Sequence, residues 1–276
     1  DLLRLVRMAA HAGGNPNFAT DEHQQSVNDT PMIPFAPPRI DDRTIEAVWE
    51  VLRSGWITTG PRTKEFEKRL ADYCGVERMI ALNSWTNAAE LVLRWFGIGP
   101  GDEVIVPSFT FVSTVNAFVL RGATPVFIDV RPDTLNFDER QFESLITART
   151  RATVPVHYAG VGCEMDSISE IASRHGVAVV EDNAHGLAGK YRGKWLGTLG
   201  SLATLSFHET KNFSCGEGGA LVVNRPEFLQ RAEIIREKGT NRGRFFRGEV
   251  DKYTWVDIGS SFVLGDLLAV FLLAQL

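Results

Sequence analysis

From residue 41 onward, short apolar runs alternate with stretches of helical periodicity, and few folds accept that alternation. The spacing predicts a helix over Asp41–Ser54, where Ile45, Val48, Trp49 and Leu52 share a face, and another over Thr63–Cys74 through Phe66, Leu70 and Tyr73. Met79–Leu82 reads as a strand, and Ser84 opens a helix to Phe96 that Gly97 and Gly99 close. The pattern continues with a strand at Val104–Pro107, a helix at Ser113–Leu120, a strand at Pro125–Asp129 and a helix at Glu139–Ile146. A strand at Ala152–Val156, a helix at Met165–His175 and strands at Val177–Val180 and Leu202–Phe207 complete it. Parallel strands need crossover connections, and helices serve as those crossovers. The expected class is therefore α/β, a mainly parallel sheet with helices on both faces.

With 276 residues, 44% hydrophobic and 23% charged, the chain can bury a large core. A net charge of -5 supplies no domain-wide basic excess for nucleic acid. Cys74, Cys163 and Cys215 are too far apart for a metal set and odd in number for a disulfide framework, so they read as reduced thiols of a cytoplasmic protein. Leu2–Ala12 is interrupted by Arg4 and Arg7 and does not read as a signal peptide. Gly13–Pro31 has too few large apolar residues to order itself, so residues 1–31 read as an extension and the folded body is expected over 32–260. Phe262–Leu276 is apolar but short for a membrane span and carries Asp266; it reads as a buried helix.

In sheets of this class, ligands gather beyond the carboxyl ends of the strands. Four features fall at such ends. Lys211 follows the Leu202–Phe207 run and precedes a glycine cluster that lets a ligand approach the main chain, the usual setting of a lysine that forms a Schiff base, although a solvated lysine near a turn would look the same. Asn83-Ser84-Trp85-Thr86 combines hydroxyls with the free amides of a helix start, which suits a phosphate, or else Ser84 only caps its helix. Asp182 follows the strand at Val177–Val180 and could face a cationic ring nitrogen or cap a following helix. Its neighbour Glu181 reads as a structural or solvated charge, and His185 as a cofactor contact or a satisfied core histidine. Phe109 and Phe111 offer a plate for a flat ring, or pack in the core. Lysine, carboxylate, phosphate-binding helix start and aromatic plate together are the set that pyridoxal 5'-phosphate requires. Arg236, Lys238, Arg242, Arg244, Arg247 and Lys252 form a locally basic stretch that could clamp a diphosphate or carboxylate, or stand solvated.

These residues resemble the DegT/DnrJ/StrS-type sugar aminotransferases over 32–276. The motifs are Ser54-Gly-Trp-Ile-Thr-Thr-Gly60, the run from Gly99 to Phe111, Pro155-Val-His-Tyr-Ala-Gly160, Glu181-Asp182 and Ser206-Phe-His-Glu-Thr-Lys-Asn212. The resemblance implies a pyridoxal-phosphate transferase of fold type I, its mostly parallel sheet having about seven strands. It implies that Lys211 carries the cofactor and acts as acid and base, that Asp182 partners the ring nitrogen, and that Trp85, Thr86 and Ser206 hold the phosphate. Phe111 would stack on the ring. His185 stands where many members carry glutamine beside the cofactor's phenolic oxygen. Arg242, Arg244 and Asn212 are the substrate-facing candidates. The implied reaction moves an amino group from glutamate to a dTDP-linked 4-keto-6-deoxyhexose in the making of surface polysaccharide. A 3-keto sugar, or a non-catalytic sensor on the same fold, is the alternative. The resemblance further implies a homodimer with its active site at the subunit interface, the partner's contribution lying near Ser260 and Ser261. Members continue past this point into a smaller domain of about a hundred residues, so 261–276 reads as the helix leading to it.

Overall fold

The computed structural model describes residues 37–276. The expectations for residues 1–31 lie outside that range. Helix α1 (Asp42–Ser54) starts where the Asp41 carboxylate accepts the Thr44 amide at 3.0 Å, and it stops at Gly55, whose φ of +71° is a left-handed conformation that glycine adopts without strain. Helix α2 (Pro61–Cys74) has proline in its first turn but no side-chain cap from its own segment. Its cap comes from far along the chain. Asp266 Oδ1 accepts from the Gly60 and Thr63 amides at 2.8 and 2.9 Å and from Thr63 Oγ1 at 2.7 Å, and Oδ2 accepts the Arg62 amide at 3.1 Å.

The chain then alternates as its periodicity predicts: β1 (Arg78–Leu82), α3 (Trp85–Phe96), β2 (Glu103–Pro107), α4 (Val112–Val119), β3 (Thr124–Ile128), α5 (Glu139–Leu145), β4 (Thr150–Thr153), α6 (Met165–His175) and β5 (Ala178–Asp182). A small antiparallel hairpin, β6 (Lys190–Tyr191) with β7 (Lys194–Trp195), precedes β8 (Leu202–Ser206) and β9 (Gly219–Val223). Helices α7 (Leu229–Arg236), α8 (Arg242–Phe246) and α9 (Asp266–Leu273) complete the order.

Seven strands form one sheet in the order β1-β9-β8-β5-β4-β2-β3. Pairing is parallel from β8 to β3, while β9 runs antiparallel to both of its neighbours. Successive side chains of a strand face opposite ways, and the buried residues follow that rule. Ile80, Leu82, Leu202, Leu221 and Val223 join the core under α3 and α7, while Met79, Ala81, Ala203, Leu205, Ala220 and Val222 join the core under α2 and α9. A third core, with Ile105, Phe142 and Ile168, lies beneath α5 and α6.

Two sequence expectations need correction. Strand β9 is absent from the periodic reading because it follows directly on the Gly216–Gly219 cluster, which looks like loop, yet all five of its residues are buried. The apolar segment from Phe262 is not helical throughout. Val263 bridges Leu82, Phe262 and Leu264 are buried in extended backbone, and the helix begins only at Asp266, whose carboxylate is occupied as the cap of α2. Helix α9 packs against α1 and α2. Among the described residues no helix is long and apolar enough to cross a membrane.

Candidate active site

The carboxyl ends of β1, β2, β5 and β8 open onto one cavity of about 730 Å³. Trp85, Thr86, Phe111, Asp182, His185, Ser206 and Lys211 all line it. The turn between β8 and β9 places the lysine. Phe207 and Gly218 pair through an amide at 2.9 Å, Glu209 donates to Gly216 O at 3.0 Å, and the Lys211 amide closes a turn on His208 O at 2.9 Å. Gly219 must be glycine here, because a Cβ would lie 2.5 Å from the Ser84 carbonyl. That close approach brings the β8–β9 turn and the start of α3 to the same cavity.

Ser84 does cap α3, its Oγ accepting the Asn87 amide at 3.1 Å. The first amides of a helix have no partner inside it, so those of Trp85 and Thr86 keep the positive end of the helix toward the cavity. The Trp85 ring is packed into the core under α3, and Thr86 Oγ1 donates to Ser113 Oγ at 3.0 Å. Capping and anion binding are thus compatible at this turn.

Asp182 caps no helix; a turn and the β6–β7 hairpin follow it. Its side chain is buried, with Oδ1 accepting the Ala184 amide at 3.1 Å and Oδ2 accepting Thr114 Oγ1 at 2.9 Å. Burial pushes its carboxyl up to about 6, against those two hydrogen bonds and the nearby His157 and Lys211. Burial likewise lowers the Lys211 ammonium below the usual lysine range, although Asp182 pulls it the other way. Each group pays desolvation that the other only partly offsets.

His185 is half-buried, and its Nδ1 accepts the Ala159 amide at 3.2 Å. A backbone N–H can only donate, so the ring proton must sit on Nε2. Burial, and then Lys211, push its pKa down and keep the ring neutral. Phe109 and Phe111 are not core: they are 43% and 73% exposed. Phe109 lies 4.7 Å from the Tyr158 ring, and Tyr158 meets His185 edge-on at 5.5 Å.

Glu181, on the opposite face of β5, is fully buried and structural rather than solvated. It accepts the amides of Gly197, Leu199 and Gly200 at 2.8, 2.7 and 2.6 Å and pairs with His157 Nε2 at 2.9 Å. The Cys163 amide donates to His157 Nδ1, so that imidazole also carries its proton on Nε2.

The substrate-facing candidates are not brought to this cavity. Arg242 is bonded to Glu237 at 3.1 Å and lies 5.0 Å over the Phe246 ring, and Arg244 is bonded to Glu249 at 3.2 Å. Arg236, Arg242 and Arg247 line a different cavity with Trp56 and Phe246. Arg242, Arg244 and Arg247 find their acidic partners within the same stretch of chain, whereas Arg236 pairs with the distant Glu67. Asn212 turns away, donating to Leu187 O at 3.0 Å. Thr110, Thr114, Tyr158 and His208, by contrast, line the cavity without having been singled out from the sequence. Thr114 lies three residues past the run from Gly99 to Phe111, and a threonine in a helix gives no signal of where its hydroxyl points.

The model of the DegT/DnrJ/EryC1/StrS aminotransferase family matches residues 38–276. The chain belongs to this family. The GDP-perosamine synthase of Caulobacter vibrioides is 41% identical over 251 residues, which cover 91% of this chain and 66% of that protein. Among solved structures, the PLP form of the sugar aminotransferase Spr1654 of Streptococcus pneumoniae superposes with a TM-score of 0.81 at 34% identity, over 88% of this chain and 66% of that one. Helicobacter pylori PseC, an aminotransferase of pseudoaminic acid biosynthesis, gives 0.81 at 32% identity over 88% and 64%. The chain therefore spans between 64% and 66% of the length of these relatives. The mostly parallel seven-stranded sheet is the fold that this family shares.

Proposed function

We propose that the chain binds pyridoxal 5'-phosphate in the Lys211 cavity and that the complete enzyme transfers an amino group from glutamate to a nucleotide-linked keto sugar. The observation that carries this reading is the convergence of a desolvated lysine and a buried carboxylate on one cavity that also receives a helix start. The residues fit the group. The amides at Trp85 and Thr86, with Ser206, suit a phosphate; Asp182 suits a ring N–H; Nε2–H of His185 suits a phenolate oxygen; and the exposed Phe111 ring suits a flat face. The solved PLP form of the pneumococcal relative supports the same cofactor here. When bound, the cofactor supplies an electron-poor ring that delocalises charge from the carbon bearing the donor's amino group.

The protein's own groups divide the rest of the work. The Lys211 amine must be neutral to attack a carbonyl, and its burial favours that form. Once freed, the same nitrogen can take a proton from the donor carbon and return it nearby, as general base and then acid. Asp182 stays ionised at neutral pH beside a cation, because an opposite charge favours the carboxylate. His185 holds its proton on Nε2 as a neutral donor and adds no positive charge near Lys211.

For the acceptor, Gly122–Asp133, Ile235–Arg242 and Asp251–Ser261 resemble a dTDP-4-amino-4,6-dideoxygalactose transaminase, which favours a dTDP-linked 4-keto-6-deoxyhexose. The GDP in the name of the Caulobacter relative favours a second reading, the same chemistry on a GDP sugar. A homodimer is part of the proposal. Phe111 and Trp255, 73% and 76% exposed, are large apolar surfaces of the kind a second subunit covers. The test is a visible-absorbance titration of the full-length protein with glutamate, then a panel of dTDP- and GDP-linked 3-keto and 4-keto sugars. A glutamate-dependent spectral change and turnover of a dTDP-4-keto sugar are expected. A spectrum indifferent to glutamate would leave only a binding module.

A further inference from the structure

We propose that Thr110 and Thr114 form a hydroxyl relay that aims the Asp182 carboxylate into the cavity, with Thr114 its positioning residue. This inference rests on reading Asp182 as the partner of the cofactor's ring nitrogen. Thr114 sits on α4 and is 1% exposed. Its hydroxyl has a single proton, and an ionised carboxylate can only accept, so that proton goes to Asp182 Oδ2 at 2.9 Å. The 3.0 Å contact between Thr110 Oγ1 and Thr114 Oγ1 then has one possible direction, with Thr110 donating. The two hydroxyls form a directed chain from the cavity wall to the carboxylate.

Threonines in helices usually bond back to a carbonyl of the preceding turn. Thr114 instead spends its hydroxyl on another element. A valine would keep the shape and suit the apolar sequence of α4 (Val112–Val119), so packing alone gives no reason for the oxygen. The Thr114 hydroxyl and the Ala184 amide are the direct donors to this carboxylate among the described residues. One holds each oxygen, which fixes the rotation of the carboxyl plane.

The charged and titratable groups around Asp182 come from three elements. Lys211 approaches from the β8–β9 turn and His185 from the turn after β5. His157 and Cys163 both lie between β4 and α6: His157, on the other face of the sheet, is bonded to Glu181, and the Cys163 thiol donates to Val156 O. None of them donates to the Asp182 side chain among the described residues, so none replaces the hydroxyl. Burial already holds the carboxyl at about 6, and losing a hydrogen bond to the charged form pushes it higher, into the neutral range.

The test is carboxyl titration by NMR of aspartate-labelled protein without cofactor, the Asp182 signal being assigned by its absence in Asp182→Asn. Thr114→Val should raise the midpoint by about one pH unit, a tenfold change in proton affinity, and Thr110→Val by less. Thr114→Ser, which restores the hydroxyl, should return it to the wild-type value. Pyridoxal phosphate affinity at pH 6.5, between the two midpoints, should fall about threefold in Thr114→Val and recover in Thr114→Ser. An unchanged midpoint in Thr114→Val overturns the relay, and so does a Thr114→Ser shift as large as that of valine. Should Thr114→Val not fold, an unchanged midpoint in Thr110→Val overturns it. If the wild-type protein takes up no cofactor, the cofactor reading fails while the titration still decides the relay.

Discussion

In the cavity of Lys211 two groups, Lys211 and Asp182, are held against desolvation, and neither has an ion-pair partner among the described residues. In the cavity lined by Arg236, Arg242 and Arg247, each guanidinium meets a carboxylate: Glu67, Glu237 and Glu233 respectively. The second region is richer in charge, and the first is where burial opposes the charged forms of its lysine and aspartate. Pairing favours the charged form of both partners, whereas burial without a full partner disfavours it, and groups pushed toward their neutral form are the ones poised to exchange protons or bind an ion. Charge density along the sequence points to the second cavity, and burial at strand ends points to the one proposed as the active site.

The largest effect that could break this contrast is at Lys211. Lys211→Ala should lower transamination by roughly 10²–10⁴-fold or more, by analogy with loss of a positioned acid–base group. Arg242→Ala should leave cofactor attachment unchanged in the isolated chain, read from the visible spectrum. Comparable losses in both variants would erase the distinction.

Asp182 sharpens it through stability. An ordinary aspartate loses its proton near 3.8 and this one near 6, so folding takes up a proton between those values. Stability of the cofactor-free chain therefore falls as pH rises through that window, by about 3 kcal/mol once above it. Asp182→Asn removes the buried charge. Urea unfolding at pH 7.5 should find the variant more stable by up to about 3 kcal/mol, the gap closing toward pH 4, while cofactor binding weakens. A variant less stable than wild type at pH 7.5 would contradict the account of Asp182.

Asp266, beside the second cavity, tests the opposite expectation, that charge there serves the fold. Asp266→Ala strands the amides of Gly60, Arg62 and Thr63 and should lower stability by about 3 kcal/mol, measured in urea, without moving the site of cofactor attachment. The smallest effect belongs to Arg244, whose partner Glu249 is exposed. Arg244→Ala should leave the melting temperature unchanged within measurement.

Much of this architecture is legible in the sequence, for identifiable reasons. Apolar runs such as Val104–Pro107 and Val177–Val180 stand out because a strand buried on both faces has little choice but Val, Ile, Leu or Ala. Helices α1, α2 and α6 stand out by their 3.6-residue spacing, with Gly55, Gly75 and Gly176 marking their ends. Position in such a pattern also brings Lys211, Asp182 and Trp85 to one place, since each lies at or just beyond the carboxyl end of a strand. What is illegible depends on partners distant in sequence or on the direction of a side chain. Asp266 caps a helix some 200 residues earlier, at Thr63. The exposure of Phe111, the ring proton of His185 and the hydroxyl of Thr114 are set by neighbours that no local pattern names. In the basic stretch, sign alone does not show which charges are paired, since Glu237 and Glu249 stand within it and Arg236 reaches the distant Glu67.

The central claim, that the amine at position 211 is the covalent seat of the cofactor, is open to one direct measurement. Full-length protein loaded with pyridoxal phosphate, reduced with borohydride and digested should yield by mass spectrometry a single modified peptide carrying the adduct on Lys211. A stoichiometric adduct on another lysine, or none on a protein that has bound the cofactor, would contradict it.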